Sequence, residues 1–221
     1  MKIIKPSVEF MEPVDGQAIL RHLERCGRVC YKSEGRIVEG SAAQFVRSVI
    51  KRGHESVLEH AKITVKVTCD RGVSHEIVRH RIASYSQEST RYCNYTGDKF
   101  GGEISVIDIG TGFKYDMDNE KDRHKWITWL MAMESAEGHY FDMIDAGAKP
   151  EEARSVLPNS LKTEIVMTMN LREWRHFLRL RNSPAAHPQI REVSDMILEK
   201  FHAEIPVVFD DVWAEVHGEE N

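Results

Sequence analysis

Two stretches of the chain alternate between apolar and polar residues with a period of two, the pattern of a half-buried strand and not of a helix. In the first, Ala61, Ile63, Val65, Val67 and Cys69 share one face, while Lys62, Thr64, Lys66 and Thr68 share the other. In the second, Ile165, Met167 and Met169 alternate with Glu164, Val166 and Thr168, and the run ends at Asn170. A strand with one apolar and one wet face belongs in an antiparallel sheet. Whatever else the chain does, it must cover the apolar faces of these two strands.

The cover comes from helices. Asp15 opens one through Ile19, Leu20, Leu23, Cys26 and Cys30, and Ser41 opens another that stops at Gly53. A short helix through Val73, Ile77 and Val78 follows the first strand. Residues 118–146 read as one long helix, 150–157 as a short one, and 171–181 and 189–205 as two more. The stretch from Ser84 to Gly102 is rich in hydroxyls, Tyr and Gly, has no period, and reads as loop. The expectation is a single domain over residues 1–221 of the α+β (α/β) class, helix-rich around a central antiparallel sheet. Each strand feeds directly into a helix that carries basic residues.

Apolar residues are 41% of the 221, enough for a continuous core. No apolar run reaches the roughly 18 residues of a membrane span, and residues 1–6 have neither a signal core nor a transit composition. Cys26 and Cys30 lack the spacing of a redox or zinc pair, so Cys26, Cys30, Cys69 and Cys93 read as reduced thiols of a cytoplasmic protein. The net charge of −5 argues against a nucleic-acid partner. Yet basic side chains crowd two windows, Arg71–Arg91 and Arg172–His187, a distribution suited to small anionic ligands. His54-Glu55 and His75-Glu76 each begin a zinc-helix pattern, but Leu58 and Arg79 stand where the second histidine belongs, so no metal is expected.

Arg79-His80-Arg81 closes the short helix. Successive helical residues diverge by about 100°, so three in a row cannot face one small ligand while the helix continues. Either some face solvent or the helix ends there. Behind the triplet, Ser84, Tyr85, Ser86, Gln87, Ser89, Thr90 and Arg91 combine neutral donors with a bidentate cation, as a sugar phosphate requires. Farther on, Arg181 continues the Leu171, Trp174 and Leu178 stripe. A guanidinium at the mouth of an apolar wall can stabilise negative charge on a pyrimidine imide.

Arg79-His80-Arg81, seven intervening residues and Ser89 resemble the signature of the flavin-dependent thymidylate synthases. The resemblance extends to Arg28-Val29-Cys30-Tyr31, Gly53-His54-Glu55-Ser56, Glu59-His60, Ser84-Tyr85-Ser86-Gln87 and Arg91-Tyr92. It continues in Ala153-Arg154, Leu157-Pro158, Asn170-Leu171-Arg172 and Leu180-Arg181, and so covers nearly the whole chain. It implies methylation of dUMP to dTMP, with methylene-tetrahydrofolate giving the carbon and FAD, reduced by NADPH, giving the hydride. It also implies a homotetramer with FAD and dUMP between subunits. By position, Ser56, Arg79, His80, Arg81, Gln87, Asn170, Arg172 and His176 resemble the flavin contacts. Glu76, Arg79, Gln87, Glu88, Ser89, Thr90, Arg91, Arg154 and Arg181 resemble the dUMP contacts, with Arg181 the catalytic arginine at the uracil. The chain departs from the family at Glu76, where many members carry glutamine, and at His176, where asparagine is common. Hydride from flavin makes a protein nucleophile unnecessary, so neither Cys93 nor Ser89 is expected to bond to the nucleotide.

Overall fold

The computed structural model describes residues 1–97 and 101–218. In chain order it begins with β1 (Lys2–Ile4), β2 (Ser7–Phe10), α1 (Gly16–Val29) and α2 (Ser41–Lys51), then β3 (Lys62–Asp70) and α3 (Arg71–Ile77). Next come β4 (Ser84–Gln87), β5 (Ser105–Ile107), α4 (Ile109–Gly112), α5 (Glu120–Asp145) and α6 (Pro150–Ala153). The last are β6 (Lys162–Asn170), α7 (Leu171–Arg181), α8 (Pro188–Glu204) and α9 (Pro206–His217), and 3-10 turns occupy Glu34–Arg36, Glu55–His60 and Arg154–Val156.

The two alternating stretches are the centre of the sheet. β3 and β6 pair antiparallel over their whole length, with Lys62 opposite Asn170 and Asp70 opposite Lys162. The four-stranded order is β2-β3-β6-β4, and β1 pairs with β5 in a separate parallel ribbon. The apolar face of β3 (Ile63, Val65, Val67, Cys69) meets that of β6 (Ile165, Met167, Met169) in one core, covered by Leu20, Leu23, Val46, Trp174, Phe177 and Phe201 from the helices. A smaller core gathers Ile104, Val106, Met133, Tyr140, Ala153 and Leu161 under α5. The chain is thus helix-rich around a small antiparallel sheet.

Several sequence expectations are corrected. Ser84–Gln87, read as loop, is an edge strand paired with β6, Ser84 opposite Thr168 and Gln87 opposite Ile165. Its alternation is hidden because one face carries only serines and the other Tyr85 and Gln87. Residues 98–100 of that expected loop lie outside the described residues. β1, β2, β5 and α9 carry too few residues or too little periodicity to stand out, and α9 follows α8 with only Ile205 between.

The two long strands each end on a residue that caps the next helix. The Asp70 carboxylate accepts from Val73 N at 2.6 Å, and the Asn170 amide oxygen accepts from Glu173 N at 2.8 Å. Such caps satisfy backbone donors that the first helical turn leaves unpaired. Because β3 and β6 run antiparallel, α3 and α7 start from opposite ends of the sheet and run back toward each other. Their C-terminal ends meet, and there the charged side chains gather.

Candidate active site

α3 stops at Ile77, and the arginine triplet lies beyond it in a turn where Arg79 N bonds Glu76 O and His80 N bonds Ile77 O. The helix therefore ends before the triplet, and two of its three side chains face solvent. Arg79 and Arg81 are exposed and enter no side-chain hydrogen bond or ion pair among the described residues, whereas His80 is only 4% exposed. Tyr85 of β4 fixes this turn by donating to Ile77 O at 2.9 Å and His80 O at 2.6 Å. Burial of its ring pushes the phenol up to about 12.

His80 is the hub of a buried polar chain. Its Nδ1 lies 3.2 Å from Glu173 Oε1, and Arg181 Nε donates to its Nε2 at 3.1 Å. A guanidinium can only donate, so Nε2 must carry a lone pair and Nδ1 the proton that goes to Glu173. The imidazole is therefore neutral. Burial pushes its pKa below the ordinary 6.5, with Glu173 pulling upward and Arg181 adding to the depression. Arg181 also donates from Nη1 to Glu76 Oε2 at 2.8 Å and from Nη2 to Glu76 O at 2.8 Å. Of its five N–H groups three are thus spent and two remain for a ligand. The side chain keeps 14% of its exposure.

Arg181 therefore does not simply continue the apolar stripe, because Glu76 and His80 hold its head. Glu76, whose carboxylate cannot donate to a nucleotide, is the partner that aims Arg181. His80, Glu173 and His176 bring one ligand atom each within 4.8 Å of one another. That cluster is a poor metal site, since both ring nitrogens of His80 are engaged and a guanidinium touches one of them.

Of the residues expected on the flavin side, Ser56, Asn170, Arg172 and His176 line two cavities, whereas Arg79, His80, Arg81 and Gln87 line neither. One, of about 490 Å³, is lined by Glu59, Ile82, Asn170, Arg172 and His176. The other, of about 410 Å³, is lined by Tyr31, His54, Ser56 and Arg172. Glu55 and Arg172 line both, so the two cavities are neighbours. Arg172 is held by Glu59 at 2.6 Å, an exposed pair that a ligand could replace at little cost.

The residues expected to cradle a nucleotide lie along β4 and the turn beyond it. Gln87 donates to Ser74 Oγ at 2.9 Å and Thr163 Oγ1 at 3.2 Å, and Glu88 pairs with Lys162 at 2.9 Å. Ser89 Oγ accepts from Arg91 N, and Thr90 is buried. Arg91 Nε meets Glu151 at 3.0 Å, three residues before Arg154, which is exposed and has no ion pair among the described residues. Among the described residues, no hydrogen bond or ion pair joins this Arg91–Glu151 group to the Arg181 group.

The second basic window is less available than its composition suggests. Arg175 is 1% exposed and binds Asp211, Glu55 and the Val208 carbonyl, while Arg179 binds Asp211 and Glu215. These arginines lock α7 onto α9, the helix that periodicity missed. Glu173 was also missed as a site residue. Three residues after Asn170 it sits where a capping box would place a glutamate, and that ordinary reading conceals its reach to His80. His187 caps α8, its side chain accepting from Gln189 N.

The family described as thymidylate synthase complementing protein matches residues 17–207. A flavin-dependent thymidylate synthase of Geobacter sulfurreducens is 36% identical over 191 residues, covering 83% of this chain and 78% of that one. One from Thermococcus kodakarensis is 36% identical over 201 residues, covering 90% and 77%. Among solved structures, a UMP/dUMP methylase, PolB from Streptomyces cacaoi bound with 5-Br dUMP, superposes with a TM-score of 0.76 over 97% of both chains at 24% identity. That likeness establishes the fold, and the sequence matches establish the kinship: the chain belongs to the flavin-dependent thymidylate synthases.

Proposed function

We propose that this chain, acting as one domain over residues 1–221, methylates dUMP to dTMP. Its carbon donor is methylene-tetrahydrofolate, and its hydride comes from FAD reduced by NADPH. The observation that carries the reading is Arg181. Its guanidinium is aimed by Glu76 and a neutral His80, half withdrawn from water, with two donors unspent. Such a group binds the imide of a uracil and stabilises the negative charge that grows there when the ring is attacked.

The residues present suit a flavin. Arg79 and Arg81, without an ion pair among the described residues, are cations for a diphosphate, and the neighbouring cavities around Ser56, Asn170, Arg172 and His176 offer room for a large cofactor. Gln87, expected on the flavin side as well, is held by Ser74 of α3 and by Thr163. FAD, when bound, supplies the hydride, and the chain's own part is to bind, orient and polarise. Arg91 and Arg154, with Gln87, Glu88, Ser89 and Thr90, take the dUMP ribose and phosphate. The family kinship is what supports assembly as a homotetramer, with FAD and dUMP between subunits. The four cysteines form no disulfide and no helix among the described residues is long and apolar enough to cross a membrane, in keeping with a cytoplasmic enzyme.

The test is direct. Purified protein should be yellow, with FAD identified after denaturation, and should convert dUMP to dTMP only with methylene-tetrahydrofolate and NADPH. Protein that binds no flavin in titration would overturn the reading. Mass spectrometry should detect no nucleotide attached to Cys93 or Ser89 during turnover.

A further inference from the structure

Tyr31, Phe45 and Arg52 line both the 410 Å³ cavity and a neighbouring one, of about 630 Å³, between α1, α2 and the Glu34–Arg36 turn. None of the residues discussed as flavin or dUMP contacts lines it. Its wall carries three arginines, Arg28, Arg36 and Arg52, and no carboxylate, in a chain whose net charge is −5. Arg28 is already neutralised, its Nη2 2.7 Å from the buried Glu24. Arg36 and Arg52 are not. Both are exposed and without an ion pair among the described residues, and Arg52 spends only its Nε, on the Ser48 carbonyl at 3.1 Å. Two uncompensated guanidinium groups facing one cavity form a fork for clustered anionic oxygens. Beside them Tyr31, 67% exposed, lines both cavities.

Resting on the reading of the chain as a thymidylate synthase, we propose that this cavity binds the anionic tail of a co-substrate whose reacting ring enters the neighbouring cavity. Arg36 and Arg52 hold the tail's oxygens. Two co-substrates carry such a tail: NADPH has a 2′-phosphomonoester, and a folate has glutamyl carboxylates. The chemistry recognised is the same, a compact cluster of negative oxygens on a flexible arm.

Calorimetry on the flavin-loaded protein tests this without requiring turnover, using NADP+, NAD+, and folates with one and three glutamates. In the double variant Arg36→Gln/Arg52→Gln, whose exposed side chains contribute nothing to the core, flavin content and dUMP affinity should be unchanged. A tenfold or greater loss for NADP+ with none for NAD+ would establish the phosphate as the tail. A loss that grows from one glutamate to three would establish the carboxylates. In the unmodified protein, the affinity of the same ligand should fall as salt rises, and should fall less in the variant. Equal affinities of variant and unmodified protein for all four ligands would overturn the proposal. The assay for flavin and dTMP judges the enzymatic reading separately, so the two can fail independently.

Discussion

Two side chains hold the head of Arg181 still: His80, which belongs to the recognised motif, and Glu76, where the chain departs from the family pattern. Glu76 stands where the family often has glutamine, and both side chains offer an oxygen acceptor to Arg181. Glu76→Gln should therefore keep most turnover, whereas Glu76→Ala removes a charge-assisted bond of about 1.5–3 kcal/mol and should lower kcat by roughly ten- to a hundredfold. Equal kcat for the two variants would remove Glu76 from its aiming role. Arg181→Ala should lose turnover more severely than either. His80 makes the arrangement sensitive to acid. Burial makes its imidazole harder to protonate in the fold than in the unfolded chain. As pH falls through about 6.5 the unfolded chain takes up the proton first, so stability declines until the lowered folded value is passed. The same protonation would turn Nε2 into a donor facing Arg181, so kcat should hold through pH 7 and fall on the acid side. Replacing Glu173 by Gln removes the charge that pulls the His80 pKa up, and should move this acid limb to lower pH. A limb that stays where it was would assign the titration to another group. Arg181 and His80 were legible as a motif, but their contact was not, because 101 residues separate them and only the fold brings them together.

At the scale of elements, what the sequence made plain was the pair of long strands and the helices they feed. Strict alternation in β3 and β6 arises because each packs one face on the core, and Asp70 and Asn170 mark the junctions as ordinary caps. Where burial is partial or an element is short, the signal fades. β4 has only four residues, and α9 is amphipathic chiefly through the carboxylates that receive Arg175 and Arg179. That explains the overestimate of free basic charge in the second window. The cap offers a way to separate structure from ligand binding at one position. Asn170→Ala should cost about 0.5–2 kcal/mol of stability, read as a lowered Tm, because α7 loses its bond to Glu173 N. Asn170→Asp keeps an acceptor for that amide, so its Tm should stay near the original while flavin affinity changes. A Tm for Asn170→Asp as low as for Asn170→Ala would show that the cap is not what holds the junction.

The molecule as a whole carries a larger apolar surface than its own sheet and helices cover. α5 has 26 residues, yet only Met133 and Tyr140 along it are buried, while Ile127 and Met131 stand 43% and 64% exposed. Trp129, Phe141 and Ile144 pack on the smaller core and Trp126 and Leu130 are half-buried, so the apolar surface that α5 leaves open is that of Ile127 and Met131. A second copy of the chain is the partner that the family resemblance supplies. In the proposed reading the Arg91–Glu151 group and the Arg181 group take different parts of one nucleotide from separate elements of the chain. If sites form between subunits, a variant damaged at Arg91 and one damaged at Arg181 are each inactive alone. Mixed after gentle dissociation, they should regain some activity, because some sites would pair an intact Arg91 with an intact Arg181. The regained fraction should rise as the two are mixed toward equal amounts, and light scattering should report a species several times the 25.4 kDa of one chain. No regained activity in mixtures shown by mass to have exchanged subunits would place both groups in one chain. A fully active monomer would leave the exposed face of α5 to some other use.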